Sequence, residues 1–203
     1  MACLTFGFCE PLLFRIMQSR RFFVLKFWCR EKAELFQTDA DRLKFLRLFE
    51  KEFRPYISTY AWGFTNTQAF FLLSVSYDPD RVMDLAERVM KKYNRSFTSF
   101  HRQRLKLQKK LLHLSQPDET QLQFIVTCIH SGPLLQGLGS NFVEYPWTSY
   151  LMLIDDKVQS WLKAEEVMGW FESKESYRAI HHSYLNKKLE GIESYRGNFI
   201  TFI

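Results

Sequence analysis

The sequence predicts an α+β protein with an antiparallel sheet and helices packed on one face. Runs of apolar residues typical of strands alternate with amphipathic segments at helical spacing. Two adjacent strand-like runs are separated by a short polar break, which favours a hairpin. The 203 residues contain 46% apolar, 17% aromatic and 25% charged residues, which fits one globular domain of ordinary size with a ring-rich core.

The first strand and the first helix follow each other directly. Arg21 to Cys29 (RFFVLKFWC) has the composition of a buried strand. Asp39 to Phe53 is amphipathic, with Thr38 or Asp39 as its N-cap, and Pro55 stops the helix. The apolar residues that recur at three- and four-residue spacing in this helix are Leu43, Leu46, Phe49 and Phe53.

The next two strands are predicted over Tyr56 to Phe64 and Ala69 to Ser76, which together form a hairpin. Four polar residues, Thr65 to Gln68, interrupt the aromatic run between these strands. A buried strand has little reason to carry four polar residues in a row. The polar run is therefore either a tight connection or the remains of a site.

Two further helices are predicted, over Arg81 to Tyr93 and from the capping residue Asp118 to His130, the latter ending at Ser131 to Pro133. Between these helices, Arg95 to His113 contains arginines and lysines but no acidic residue. A net charge of +6 is compatible with an anionic partner. For an arbitrary protein, a solvated helix face would be the favoured explanation of such a basic segment.

Residues 1–20 are predicted to be an N-terminal extension. A strand pattern begins just after Met17, so the extension is interpreted either as sequence upstream of the true start or as an extra strand or tail. No window is apolar over the 18 or so residues that a membrane helix requires. The four cysteines show neither a CxxC pair nor a matching histidine cluster, which argues against zinc and disulfides and favours a reducing cytoplasm.

Several segments resemble the REP-associated tyrosine transposases, relatives of the small HUH single-strand transposases. CIHSGPLLQGLGSNFVEYPWTSY, from Cys128 to Tyr150, is similar to the family signature YIHxNPVxxGLVxxPxDYPWSSY. Arg21 to Phe64 resembles the opening of the family's domain. Lys91 to Arg104 resembles the family's NKKYxRxGSLFQxR stretch, although it lacks the glycine. Leu162 to Leu185 resembles the family's basic C-terminal part. We therefore predict a transposase-like domain over residues 21–155 and a helical C-terminal extension with a tail over residues 156–203.

The resemblance implies a ferredoxin-like antiparallel sheet. It also implies an active site in which two histidines of a Pro-Asn-His-x-His-Leu-Leu motif hold a divalent metal and a tyrosine attacks DNA. Asn66 matches the asparagine of that motif, whereas Thr67 and Ala69 occupy the histidine positions and Cys128 occupies the tyrosine position. Threonine is a weak metal ligand and alanine is none, so we predict that no metal and no other cofactor is bound. Cys128, on an apolar helix face, is predicted to be a small core residue rather than a nucleophile.

Other candidate residues do not rebuild the missing site. We interpret His130 and Trp147 as packed residues and His181 and His182 as neighbours on a surface helix whose rings point apart.

The resemblance favours a DNA interface in the basic segment, because relatives bind hairpin DNA with adjoining single strand through basic elements. Lysines and arginines neutralise phosphates without reading sequence, and interleaved rings could stack on unpaired bases. The predicted phosphate contacts are Lys91, Lys92, Arg95, Arg102, Arg104, Lys106, Lys109 and Lys110. The predicted stacking residues are Tyr93, Phe97, Phe100 and His101.

The predicted function is DNA binding without strand cleavage, in the bacterial cytoplasm and on the nucleoid when DNA is bound. Some relatives are dimers, so the resemblance also allows a homodimer. Two rivals stay open at this point. One is a working single-strand transposase with an unrecognised nucleophile, and the other is a protein-interaction module on the same fold.

Overall fold

The computed structural model describes residues 20–30, 33–76, 78–155 and 161–190. The predicted N-terminal extension, except Arg20, and the end of the tail lie outside these ranges. Four strands and six helices are found in the described residues. In chain order they are β1 Arg21–Cys29, α1 Asp39–Phe53, β2 Ser58–Phe64, β3 Gln68–Val75, α2 Asp80–His101, β4 Leu107–Leu114, α3 Glu119–Leu135, α4 Tyr150–Ile154, α5 Ala164–Phe171 and α6 Lys174–Leu189.

The four strands form one antiparallel sheet in the order β2-β3-β1-β4. With helices after β1 and β3, the order of elements is β-α-β-β-α-β, the arrangement of a ferredoxin-like sheet. The predicted α+β class, the antiparallel hairpin and the C-terminal helical extension are confirmed. The predicted first strand and first helix also have the observed bounds.

Helices α1 and α2 pack on one face of the sheet, as predicted, and enclose a core built from aromatic rings. Phe45 of α1 lies 5.2 Å from the ring of Phe27 in β1 and 5.0 Å from the ring of Tyr93 in α2. Phe49 stacks on Phe71 of β3 with ring centroids 3.5 Å apart. All five side chains are almost completely buried. Edge and stacked contacts between rings add to the free energy gained by burying their area.

Helix α3 packs on the opposite face of the sheet, against β2, so the helices are not confined to the one face that the sequence predicts. The two elements meet at a point where only glycine fits. A Cβ atom on Gly63 would lie 2.4 Å from the backbone oxygen of Ile129 in α3. Ile129 is four residues before Pro133, and proline has no N–H to donate to the Ile129 oxygen. The Ile129 carbonyl therefore lacks its usual partner within the helix and can lie against the sheet, where Gly63 leaves room for it.

The outer edge of β2 is covered by the segment around Thr148. Phe64 donates its backbone N–H to the oxygen of Trp147, and Ser149 donates its own to the oxygen of Trp62, each at 2.9 Å. The Tyr145 hydroxyl donates to the oxygen of Phe64 at 2.8 Å. The YPWTSY part of the signature therefore satisfies the polar groups of an edge strand that would otherwise be open.

The structure differs from the sequence prediction in two helices. Helix α2 extends to His101, two turns beyond the predicted end, because the rings of Tyr93 and Phe97 continue its buried face. Helix α3 passes through Gly132 and Pro133 and ends at Leu135. Proline removes one hydrogen bond, but packing against β2 keeps the helix continuous.

Strand β4 is the third difference, because the second half of the basic segment forms a strand rather than a helix face. Its residues pair with β1 from Cys29–Leu107 to Phe22–Leu114. Lysines are common on edge strands, where charge discourages pairing with a second molecule. A basic strand of this kind lacks the apolar alternation by which a strand is usually recognised.

The helices of the C-terminal extension pack on the domain. Trp170 of α5 stacks on Tyr60 of β2 with ring centroids 5.1 Å apart. Tyr177, His181 and Leu185 of α6 are buried, and this helix lies against α3. Within the ranges that the structure describes, no helix is both long enough and apolar enough to cross a membrane.

Candidate nucleic-acid interface

The polar run between β2 and β3 is a tight hairpin connection. Thr65 donates its backbone N–H to the oxygen of Gln68 at 2.9 Å and closes the turn. The Thr65 hydroxyl accepts the N–H groups of Thr67 and Gln68, at 3.3 and 3.1 Å. This side-chain capping is a common use of threonine in turns and explains much of the polar composition.

The same connection holds the start of α1. The backbone oxygen of Asn66 accepts the N–H groups of Leu35 and Phe36, at 2.8 and 3.0 Å. The side-chain oxygen of Asn66 accepts a 2.6 Å hydrogen bond from Arg42. The Arg42 guanidinium lies 5.8 Å from the ring centroids of Phe36 and Trp147. Asn66 therefore has a structural role, and Trp147 is packed as predicted.

The residues at the family's catalytic positions lie on different faces of the sheet. Ala69 pairs with Phe27 and Phe64, whose rings contact Phe45, so its side chain faces α1 and is fully buried. Cys128 belongs to α3, which covers the opposite face. The β3 side chains that share the face of α3 begin with Gln68 and Phe70, because neighbouring residues alternate between faces.

Cys128 is buried, with 5% of its surface exposed. Its thiol lies 3.3 Å from the hydroxyl of Tyr184 in α6. The predicted position in the core is therefore confirmed.

His130 and His181 meet inside the protein, which the sequence prediction missed. The Nδ1 atom of His181 donates to the oxygen of Tyr177 at 2.8 Å, which leaves its Nε2 atom to accept from Nδ1 of His130 at 3.0 Å. Nε2 of His130 then accepts from the hydroxyl of Ser149 at 2.8 Å. One proton arrangement of neutral imidazoles satisfies all three contacts. His182 is exposed, so the two adjacent rings do point apart.

Burial keeps these histidines neutral. It lowers the pKa of His130 well below the usual range and the pKa of His181 to about 3. The two histidines and Ser149 are fully buried, which excludes a substrate from them in this conformation. We interpret the trio, which we call the Ser-His-His chain, as a tie between α3, the β2 edge and α6.

The residues present do not fit a divalent metal held in the family's manner. Thr67 lies in the turn and Ala69 faces α1. In the part of the chain that the structure describes, no three His, Cys, Asp or Glu side chains cluster closely enough to hold a metal ion. That the chain uses no metal stays a prediction.

The predicted phosphate contacts lie along α2, the turn after it and β4. Two adjoining concavities, of about 580 and 540 Å³, open between α2 and the start of β4. Lys91 and Arg104 line both, and Arg95, Thr98 and Ser99 line the first. We call this surface the α2–β4 groove. Asn94 holds its two walls together, because its amide exchanges two 3.0 Å hydrogen bonds with the backbone of Leu105.

The cations of the segment differ in their partners. Lys91 and Lys109 both pair with Glu87, and Lys92 pairs with Glu52. The hydrogen bond from Lys109 is the main reason why the pKa of Glu87 is lowered. Among the described residues, no acidic group pairs with the exposed cations Arg95, Arg102 and Arg104. Arg95 and Arg104, with Lys91, give the α2–β4 groove its positive charge.

Most of the rings predicted to stack on bases are core residues. Tyr93 and Phe97 are each 1% exposed, so that prediction was wrong for both. His101 is largely buried and lies 2.9 Å from a carboxylate oxygen of Asp41. Phe100 is 75% exposed at the end of α2 and is the one predicted ring available to a base. Tyr93 and Phe97 are four residues apart, so they lie on the same face of the helix. This spacing could have indicated from the sequence that both face the core.

Part of the sheet itself is accessible on the face opposite α1 and α2. Lys26 and Trp28 of β1 are half-buried although β1 is a central strand. Helix α3 covers this face at β2, and α5 covers it near Tyr60. Alternation along RFFVLKFWC could have indicated this surface, since Lys26 and Trp28 share one face of the strand.

Fold and surface together define a ferredoxin-like α+β domain with a helical extension and a basic groove. Among solved structures, the chain is similar to a REP-associated tyrosine transposase bound to a REP hairpin, with a TM-score of 0.51 and 10% sequence identity. The likeness covers 79% of this chain and 90% of that chain. At this identity it establishes a shared, transposase-like fold. No protein-family model matches the sequence, and no curated protein does either.

Proposed function

We propose that this protein binds DNA through the α2–β4 groove and does not cleave it. The observation that carries the proposal is the clustering of Lys91, Arg95 and Arg104 with two hydroxyl side chains around one open concavity. Such a group of cations neutralises phosphates and binds a DNA backbone without reading its sequence.

The fold supports the same proposal. A transposase with this fold has been solved bound to a REP hairpin. We infer a nucleic-acid ligand of related form, a hairpin with an adjoining single strand, for this chain. Of the other predicted contacts, Lys106 lines the second concavity, and the exposed Arg102 and Lys110 extend the positive surface beyond the groove. A cytoplasmic location and a homodimer remain part of the proposal rather than findings.

The absence of strand cleavage is proposed from chemistry at three positions. Thr67 lies in a turn, Ala69 is buried against α1 and offers no ligand atom, and Cys128 is buried beside Tyr184. A cysteine acts as a nucleophile only where a substrate can reach its sulfur, and Cys128 is 5% exposed. These positions therefore offer neither an imidazole pair for a metal nor an accessible nucleophile.

The experiment that tests the proposal is binding of the full chain to a labelled DNA hairpin with a single-stranded flank, measured from low to moderate salt. We expect binding that weakens steeply as salt rises. The double variant Arg95→Gln/Arg104→Gln should bind more weakly and with a smaller salt slope. Lys44→Gln, an exposed change of one charge on α1, is the matched control and should bind as the wild type does.

Denaturing gels run in parallel, with manganese present, test the catalytic half of the proposal. We expect intact DNA and no protein-linked product. A cleaved or covalently attached strand that disappears in Cys128→Ala would instead establish a working transposase. Binding that does not occur at any salt concentration would contradict the proposal and favour a protein-interaction module.

A further inference from the structure

The two concavities of the α2–β4 groove differ in the side chains that line them. The first has three cations and two hydroxyl side chains, and none of the described residues that line it is acidic or apolar. The second has, besides cations, the carboxylate of Glu87 and the apolar side chains of Met90, Leu105 and Leu107. We call the second concavity the Glu87 recess. Since the negative charge of a carboxylate disfavours a phosphate, the two concavities suit different parts of a nucleotide.

The carboxylate of Glu87 is ionised and can accept further hydrogen bonds. Its Oε2 atom accepts a hydrogen bond from Lys109, and its Oε1 atom lies 3.8 Å from the ammonium of Lys91. The hydrogen bond from Lys109 is the largest reason why the pKa of Glu87 is lowered, so this group is charged at neutral pH. An ionised carboxylate has about four acceptor sites, and the side chain of Glu87 is 42% exposed. A ligand N–H group can therefore donate to it.

Apolar side chains form another part of the recess. Met90 is half-buried and lies three residues after Glu87, on the same face of α2. Leu105 and Leu107 are 4% and 9% exposed, so they close the bottom of the recess rather than line its mouth. Every nucleobase has an apolar face and a polar edge. An apolar wall beside a charged acceptor matches both.

The shape of the recess favours an unpaired base. It is a concavity of about 540 Å³ between a helix and a strand, and small-ligand sites span roughly 300–1,000 Å³. A duplex presents its base edges to a protruding helix or ribbon, so a base enters a recess only after it has left the stack. Asn94 holds the two walls in place, because its amide makes two 3.0 Å hydrogen bonds with the backbone of Leu105.

A carboxylate at this position also distinguishes one base from another. It accepts a hydrogen bond from the exocyclic amino group of cytosine or adenine. Uracil and thymine carry a carbonyl oxygen where cytosine carries the amino group, and two acceptors repel each other. The side chain of Glu87 should therefore select a base with an amino group.

We propose that the Glu87 recess binds an unpaired base that carries an exocyclic amino group, while a neighbouring phosphate of the same strand lies in the first concavity. The base donates its amino N–H to Glu87 and packs against Met90. This inference rests on the proposed function and deepens it, because it adds a preference among bases to cations that recognise only the backbone.

The test compares two labelled DNA hairpins that differ only in a short single-stranded flank, which is made of deoxycytidine in one and deoxyuridine in the other. The two bases have the same ring and differ in the group that faces Glu87. For the full wild-type chain, we expect the deoxycytidine probe to bind about tenfold more tightly, the contribution of roughly one hydrogen bond to a charged group.

Glu87→Gln is the variant that removes the preference. A glutamine amide donates to the uracil oxygen as well as accepting from cytosine, so the two affinities should come within about twofold of each other. Binding of both probes should become tighter, because a negative charge beside the groove is removed. Asp84→Asn makes the same change of charge at an exposed residue outside the recess, one turn earlier on α2, and should keep the tenfold preference.

The outcomes separate this inference from the proposed function. Salt-sensitive binding of both probes with equal affinity by the wild type would overturn the recess as a base site and leave DNA binding through the groove intact. A preference for deoxycytidine that persists in Glu87→Gln would also overturn it. If the wild type bound neither probe, both proposals would be wrong. Glu87→Gln is expected to fold as the wild type does, because it removes only ion pairs at the surface.

Discussion

The two edge strands of the sheet are treated in opposite ways. The outer edge of β2 is hydrogen-bonded to Trp147 and Ser149, and α3 and α5 cover one of its faces. Strand β4, at the other edge, carries Lys109 and the exposed Lys110 beside the α2–β4 groove. One edge is built into the core, and the other presents positive charge to solvent.

The covered edge gives a structural role to the segment that resembles the family signature. The CIHSGPLLQGLGSNFVEYPWTSY segment supplies the Ile129 carbonyl to Gly63, the imidazole of His130 to Ser149 and the strand cover from Trp147 onward. Each contact stabilises the β2 edge and none requires DNA. The contacts of this segment within the chain are therefore sufficient to explain its residues.

The largest effect on stability is expected from Gly63→Ala at the covered edge. The new methyl group would lie 2.4 Å from the Ile129 oxygen, so α3 would have to move, at a cost of about 3 kcal/mol. Gly132→Ala is the matched control, since nothing lies within 4 Å of its added Cβ, and alanine favours a helix. Urea unfolding measures both. An unchanged midpoint for Gly63→Ala would show that α3 does not depend on this close approach.

A smaller loss of stability is expected when the histidines of the Ser-His-His chain are protonated at low pH. The folded pKa of His181 is about 3, below the ordinary value of 6.5, because burial disfavours the charged ring. A lowered histidine pKa stabilises the fold above about pH 6.5, and this stability is lost as the pH falls. At pH 5 the loss from His181 is about 2 kcal/mol. The rings of His130, Tyr150, Tyr177, Phe142 and Phe171 surround it, and none of them supplies a negative charge at this pH.

The free energy of unfolding, measured at pH 7 and pH 5, checks this prediction. His181→Phe should lose less stability over this interval than the wild type, because phenylalanine does not titrate. His182→Gln, on the exposed side of the same helix, should lose as much as the wild type does. A wild-type stability that does not change between the two pH values would contradict the proposed neutral state of the chain.

The smallest effect on stability is expected at the open edge. Arg95 and Arg104 are exposed and have no acidic partner in the described residues, so Arg95→Gln/Arg104→Gln should change the free energy of unfolding by less than about 0.5 kcal/mol. The same variant should lower the slope of log binding constant against log salt by roughly 1.8 for a hairpin, about 0.9 for each of two phosphate contacts. A large loss of stability with normal DNA binding would contradict this comparison, because it would show that these arginines stabilise the fold rather than bind DNA.

Much of the fold could be predicted from the sequence, because local patterns carry it. The spacing of Leu43, Leu46, Phe49 and Phe53 and the cap at Thr38 predicted α1 with its observed bounds. Leu43, however, is exposed, and Phe45 lies in the core instead. The basic strand β4 was missed because lysines replace its apolar residues. The cations of the candidate interface were also predicted, because charged residues are identified directly from the sequence. Which of these cations is already paired with Glu87 or Glu52 depends on the packing of α2 against α1 and β4.

The sequence by itself determined the α+β class, the hairpin with its polar turn, the excess of positive charge and the lack of imidazoles at positions 67 and 69. These properties follow from composition and from spacing over a few residues. Only the tertiary structure decided that His130 meets His181, that Tyr93 and Phe97 are core residues, and that Glu87 pairs with Lys109. Such contacts join residues far apart in the chain, and strand register and helix packing, which act over the whole domain, bring them together.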